Sequence, residues 1–123
     1  VLSYITSPLL DGCAVYDYET DSTGGVYDLT AAEKAPYDLF LSGSKALLRI
    51  ENPAAGNDRT LIVFRDSFGS SIAPFFTECY RKVTLVDTRY LPSERVGKFV
   101  DFDRQDILFL YSVPVLNNSV MLK

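Results

Sequence analysis

Histidine and tryptophan are both absent from the 123 residues. Without an imidazole, no Ser-His-Asp triad, Cys-His pair, His-ligated metal site or HExxH helix can be completed from these residues alone. Cysteine is scarce. Cys13 and Cys79 stand 66 positions apart with no CxxC neighbour, which is not the spacing of a zinc or redox motif, so they read as two separate, partly buried thiols. Two cysteines by themselves do not establish an oxidising compartment. The basic residues are outnumbered, 12 against 16 acidic, and the net charge of −4 has the wrong sign for phosphate backbones or anionic lipid. Nucleic acid is therefore not an expected partner. No apolar run approaches the roughly 18 residues of a spanning helix, and no basic-then-apolar leader opens the chain, so this segment has no signal segment and no expected membrane insertion. Neither GxxxxGK[ST] nor GxGxxG occurs and Gly69 stands alone, which argues against a phosphate-cradling loop.

What remains is globular. Hydrophobic residues make up 47% and aromatic residues 13%, enough apolar surface for one core and far from disordered compositions. The length fits a single domain over residues 1–123, with no internal repeat, low-complexity tract or linker. With Val1 first and Met121 the one methionine, the chain reads as a piece of something longer.

The residues from Gly12 to Glu19 have strand character, and Asp21-Ser22-Thr23-Gly24-Gly25 reads as a turn returning to Val26-Tyr27-Asp28-Leu29, an N-terminal β-hairpin. Thr30 and Glu33 are placed to open a short helix that Pro36 stops. Ala46 to Ile50 reads as a strand, and the polar turn from Asn52 to Asp58 leads to a neighbour at Thr60-Leu61-Ile62-Val63-Phe64. That run is continuously apolar and β-rich, as in a central strand covered on both faces. Beyond it, Ile72, Phe75, Phe76, Cys79 and Tyr80 recur at helical spacing, which predicts a helix from near Ser71 with those residues buried and Glu78 exposed. Lys82 to Asp87 is a further strand, a weaker helix follows Leu91-Pro92-Ser93, and Asp106 to Tyr111 is a third apolar strand. The tail from Val113 to Leu122 is apolar without a decided type. Strand-helix alternation from Thr60 onward predicts an α/β fold with a mostly parallel sheet and flanking helices.

In such sheets ligands bind beyond the carboxyl ends of the strands. Three segments fall there: Arg65-Asp66-Ser67-Phe68-Gly69, Asp87-Thr88-Arg89-Tyr90 and Tyr111-Ser112. On a strand-to-helix turn, Ser67 can present its hydroxyl as a nucleophile near backbone amides able to hold an oxyanion. Equally, Asp66, Ser67, Ser70 or Ser71 can simply cap the helix. Asp66, Asp87, Arg89 and Tyr90 are candidate cleft residues, although Asp87 and Arg89 also make sense as a salt-bridged loop.

Several ordered blocks together resemble one family. They are Tyr37-Asp38-Leu39-Phe40-Leu41-Ser42-Gly43, Leu47 to Asn52, Leu61 to Phe68 (LIVFRDSF), Pro74-Phe75-Phe76, Tyr80, Val86 to Tyr90 and Ile107 to Ser112. Over about Tyr37 to Ser112 the chain is similar to the C-terminal portion of the DHHW family, SGNH-hydrolase-like proteins distantly similar to those of alginate acetylation. The resemblance implies a partial SGNH- or flavodoxin-like fold, an extracytoplasmic or cell-envelope setting, and an esterase or O-acyltransferase site acting on envelope glycan. It places Ser67 at the catalytic serine of a KDSY-type block, read here as Arg65-Asp66-Ser67-Phe68, and an oxyanion element at Gly43-Ser44, with Ser44 where the family has Asn. It implies no metal or organic cofactor. The family's Asp-His-His-Trp block lies upstream of these motifs, so the resemblance also implies that a missing N-terminal portion supplies the base and its orienting carboxylate, and that the chain alone is inactive. The reading from a different class is a noncatalytic envelope or carbohydrate-binding α/β module.

Overall fold

Residues 6–43, 45–118 and 120 are described by a computed structural model. Helix α1 (Pro8–Asp11) leads into strands β1 (Ala14–Asp17) and β2 (Ser22–Gly24), helix α2 (Leu29–Lys34) and a 3-10 turn at Pro36–Leu39. Then come β3 (Leu47–Glu51), β4 (Thr60–Arg65), α3 (Gly69–Ile72) running into a 3-10 segment at Ala73–Glu78, β5 (Lys82–Val86), α4 (Ser93–Val96), β6 (Asp106–Leu110) and α5 (Val113–Asn117). The strands form one sheet in the order β2-β1-β3-β5-β4-β6.

The sheet is mixed, which corrects the expectation of a mostly parallel one. β4 pairs in parallel with both β5 and β6. The pairs β1/β2, β1/β3 and β3/β5 are antiparallel. Parallel neighbours need a crossover of a dozen or more residues, and the chain provides these only after β4 and after β5, each time returning to lie beside β4. β3 and β4 are consecutive in sequence but are not neighbours, because β5 inserts between them. The return strand beside β1 is Ser22–Gly24, which the sequence had suggested as turn. The chain reverses earlier, at Asp21, whose φ of 50° is a left-handed position that Asp tolerates. Asp28 then caps α2, accepting from the Ala31 amide at 2.9 Å, in place of the expected Thr30.

Alternation across the strands divides the core into two layers. Leu48, Ile50, Leu61, Val63, Val83 and Leu85 are buried on one face, beneath the α3 region. Leu47, Ile62, Val86, Val96 and Val100 are buried on the other, where α4 contributes Val96. β4 is thus a central strand, as its apolar run predicts.

The helix after β4 buries a different face from the expected one. Ser70, Ala73, Pro74 and Thr77 point inward, while Ile72 is 47% exposed, Phe75 42% exposed, and Cys79 exposed. Phe76 and Tyr80 pack half-buried against the core, and Glu78 is exposed as expected. The cause lies beneath the helix. The wholly buried Arg65 side chain passes so close to Gly69 that a Cβ there would sit 2.9 Å from Arg65 Cβ. At that approach only small side chains fit against the sheet, so the large apolar residues turn outward. β6 forms the sheet edge, leaving Ile107 47% and Phe109 67% exposed, with Phe109 stacked on Phe64 at 4.9 Å between ring centroids.

Candidate functional site

Because β4, β5 and β6 run in parallel, the loops after them emerge at one edge. Antiparallel β3 brings its leading loop to the same edge, where the Asp87 amide donates to Ala46 O at 2.9 Å. Segments 66–68, 87–90 and 111–112 therefore converge with residues 41–43 and 45–46.

The β4 turn is organised by Asp66. Its carboxylate is buried and accepts from the Phe68 amide at 3.0 Å and from the Ser112 amide at 2.6 Å, tying the turn to the end of β6. Burial opposes its ionisation, but the Ser112 and Phe68 amides, the Ser112 hydroxyl and the charge of Arg89 outweigh that cost and hold its carboxyl below the usual range. Ser67 follows on the turn and is half-buried. Its carbonyl accepts from the Ser70 amide at 3.2 Å, while its hydroxyl makes no hydrogen bond to the described residues. No side chain caps α3. Ser67 is therefore not acting as the helix cap, and the local tie belongs to Asp66.

The loop at 41–43 is unusual in its backbone. Leu41, Ser42 and Gly43 have φ values of 58°, 57° and 83°, three left-handed residues in succession. For each of the two that carry a Cβ this costs about 1–2 kcal/mol. Surrounding bonds hold it: Leu41 N donates to Val26 O at 2.8 Å, Ser42 Oγ to Asp28 Oδ2 at 2.5 Å, and Ser70 Oγ to Gly43 O at 3.4 Å. The Ser42 hydroxyl, followed by the Ala31 amide, holds the Asp28 carboxyl below its ordinary range. Glycine is required at 43, since a Cβ there would lie 2.5 Å from Asp38 Oδ1. Of the two oxyanion candidates, the Gly43 amide already donates to Phe40 O at 3.1 Å, and Ser44 lies outside the described residues.

Asp87 is fully buried and takes a fork from Arg89, with Nε at 2.9 Å on Oδ1 and Nη2 at 2.6 Å on Oδ2. That bond to Asp87 raises the Arg89 pKa above its ordinary value. Of the two readings of this loop, the salt bridge is formed, and it engages Nε and Nη2 of Arg89. Tyr90 is 57% exposed, with the Arg89 guanidinium 5.3 Å above its ring. Thr88 Oγ1 pairs with the Tyr111 hydroxyl at 3.4 Å.

Two residues whose linking role sequence reasoning missed, Arg65 and Ser70, connect these parts. Arg65, at the end of β4, donates through Nη1 to Ser70 Oγ at 2.9 Å and through Nη2 to Lys45 O at 3.3 Å, and Ser70 in turn reaches Gly43. The available signal was a charged residue ending a buried strand, four positions before a glycine. Beside the turn lies an open groove of about 460 Å³ whose apolar lining includes Tyr37, Phe68, Ile72, Leu110 and Tyr111, joined by Asp66 and Ser112. Among the described residues no group of His, Cys, Asp and Glu is placed to hold a metal ion, and no helix is long and apolar enough to cross a membrane.

This arrangement, an α/β sheet with a serine turn and convergent loops at the strand ends, is a fold shared with a DHHW family protein and with PatB1. A DHHW family protein from Eubacterium siraeum matches it with a TM-score of 0.55 at 23% identity, over 81% of this chain and 34% of that one. PatB1 from Bacillus cereus matches with a TM-score of 0.60 at 20% identity, over 90% of this chain and 36% of that one. The structure of PatB1 with a sulfonyl adduct matches with a TM-score of 0.58 at 21% identity, over 81% of this chain and 35% of that one. The chain spans about a third of the length of these structures. No family model and no curated protein matches it.

Proposed function

We propose that this chain is the serine-bearing segment of an SGNH-like esterase or O-acyltransferase of the cell envelope, with Ser67 as nucleophile and a glycan as acyl acceptor or substrate. The observation that carries the proposal is the unengaged Ser67 hydroxyl on a turn that Asp66 holds in place, at the carboxyl end of the central strand. A residue needed only for capping would spend its hydroxyl on an amide. The sulfonyl adduct on PatB1 adds support, because such adducts form where a nucleophile is activated.

In the proposed reaction Ser67 Oγ bonds to the acyl carbon and its proton passes to a base. The tetrahedral intermediate collapses as the donor's C–O bond breaks, and the base returns the proton to the departing oxygen. Water or a glycan hydroxyl then takes the acyl group from Ser67 by the same steps in reverse. The oxyanion is held by backbone amides of the Ser67 turn, joined by the Gly43 amide when it leaves Phe40 O. The base is an imidazole on polypeptide outside these 123 residues, since the chain has none. The exposed edge of β6, with Ile107 and Phe109, is the surface offered to that missing portion.

The test is turnover of an activated acetyl ester by the longer polypeptide that carries this segment, beside its Ser67→Ala variant. Loss of turnover in the variant is expected, with no turnover above background by the 123-residue chain alone. Equal turnover by the two longer proteins would remove Ser67 from the mechanism and favour the noncatalytic binding module.

A further inference from the structure

Arg65 is wholly buried, yet it meets no carboxylate within ion-pair distance among the described residues. Its guanidinium is spent on neutral oxygens: Ser70 Oγ at 2.9 Å, Lys45 O at 3.3 Å and Asp66 O at 3.4 Å, with Nε left unpartnered. Burying a cation against neutral acceptors is costly, and an apolar side chain would fill the same space without that cost. The choice of arginine is explained by what its planar fork spans. One prong holds the turn that carries Ser67 and the first turn of α3, and the other holds the loop that leads into β3. Ser70 Oγ extends the same link to Gly43 O at 3.4 Å.

The linked loop is the one that most needs holding. Leu41, Ser42 and Gly43 are all left-handed, and their other ties run to Val26, Asp28 and Phe40. Among the described residues, the bonds from Ser70 to Gly43 O and from Arg65 to Lys45 O tie this loop directly to the β4 turn. Gly69 completes the arrangement, since its missing Cβ gives the Arg65 stem its passage to the loop.

We infer that Arg65 and Ser70 are positioning residues that clamp Gly43, at the end of the left-handed 41–43 turn, and Lys45 to the Ser67 turn, setting the distance between nucleophile and oxyanion loop. The inference rests on the proposed serine chemistry for its catalytic meaning, and its structural half is measurable without activity. Lysine, with one compact ammonium group, cannot reproduce the fork.

The experiment compares the wild-type sequence with Ser70→Ala and Arg65→Lys. In the 123-residue chain, amide hydrogen exchange is followed at Gly43, whose amide bonds Phe40 O, and at Val63 and Leu85 in the central strands. In the longer polypeptide, kcat and KM are measured with an activated acetyl ester. Gly43 exchange should rise at least tenfold in both variants with little change at Val63 and Leu85, and kcat should fall at least tenfold with KM nearly unchanged. Equal acceleration at all three amides would mean general destabilisation and overturn the clamp. Unchanged Gly43 exchange, or a loosened loop with kcat intact, would also overturn it while leaving Ser67 chemistry standing. If Arg65→Lys fails to fold, Ser70→Ala alone decides. A wild-type enzyme whose turnover survives Ser67→Ala would remove the serine reading itself, and the positioning role with it.

Discussion

Replacing Asp66 by alanine should destabilise the chain severely, and should do so in a pH-dependent way. The carboxylate makes two hydrogen bonds, to Phe68 N at 3.0 Å and Ser112 N at 2.6 Å. Bonds to a charged group contribute about 1.5–3 kcal/mol each, and removing the acceptor strands two amides in a partly buried site, so Asp66→Ala should cost about 3–5 kcal/mol. Asp66→Asn keeps one carbonyl acceptor but turns an NH₂ group toward the second amide, and should cost about half as much. The sign of the pH dependence follows from the depressed folded-state pKa. In the unfolded chain the group titrates near about 3.9, so the carboxylate's contribution is complete above that pH and is lost as pH falls through the lower folded value. Urea unfolding followed by far-UV circular dichroism at pH 7 and near pH 3 provides the test. The gap between wild type and Asp66→Asn should narrow at the lower pH. A gap that stays constant, or an alanine variant less than about 1 kcal/mol below wild type, would refute the assignment of Asp66 as the tie between β4 and β6.

Gly69→Ala should destabilise by about 1–3 kcal/mol, measured by the same unfolding curves, because its Cβ would press on the Arg65 stem where overpacking has no outlet. Phe75→Ser, on the exposed face of the α3 region, should shift stability by less than about 1 kcal/mol, whereas Ala73→Leu, at a fully buried position, should cost about 1–3 kcal/mol. The reverse ranking in thermal melts would restore the face read from sequence. A thiol reagent should label Cys79 rapidly in the folded chain and Cys13 only on unfolding, as read by mass spectrometry, since Cys13 is buried with its Sγ 3.2 Å from Leu9 O.

The central strands were legible because β4, β5 and β6 are apolar β-rich runs bounded by polar turns, and their parallel pairing followed from the crossovers between them. The order on the other side was not legible. Whether β3 lies beside β4 or β5 depends on pairings such as Glu51 with Lys82 and Leu47 with Val86, far apart in sequence, which no local pattern encodes. The α3 region was misread in phase because large apolar side chains usually point inward, and here Arg65 occupies the space beneath. At the site, the three loops at the strand ends were identified from alternation alone. The clamp was hidden, since a wholly buried arginine is rare enough that the Arg65 of LIVFRDSF reads naturally as the first residue of a surface turn.

The division of labour around Ser67 follows from how the nearby charges are used. A general base must be free to take a proton and have a pKa near the working pH. Asp66 meets neither condition, being committed to two amides and held below the usual carboxylate range. Asp87 is fully buried and forked by Arg89, which engages both of its oxygens. Arg65 and Arg89 are donors only. The charged groups flanking the serine thus build and brace the turn, while none can deprotonate it. Under the proposed reading, nucleophile and base come from separate stretches of polypeptide, and activity depends on how firmly the second stretch docks. Mutations on the exposed β6 edge, far from any chemistry, should then lower turnover by weakening that docking, with Ser67 and its turn intact.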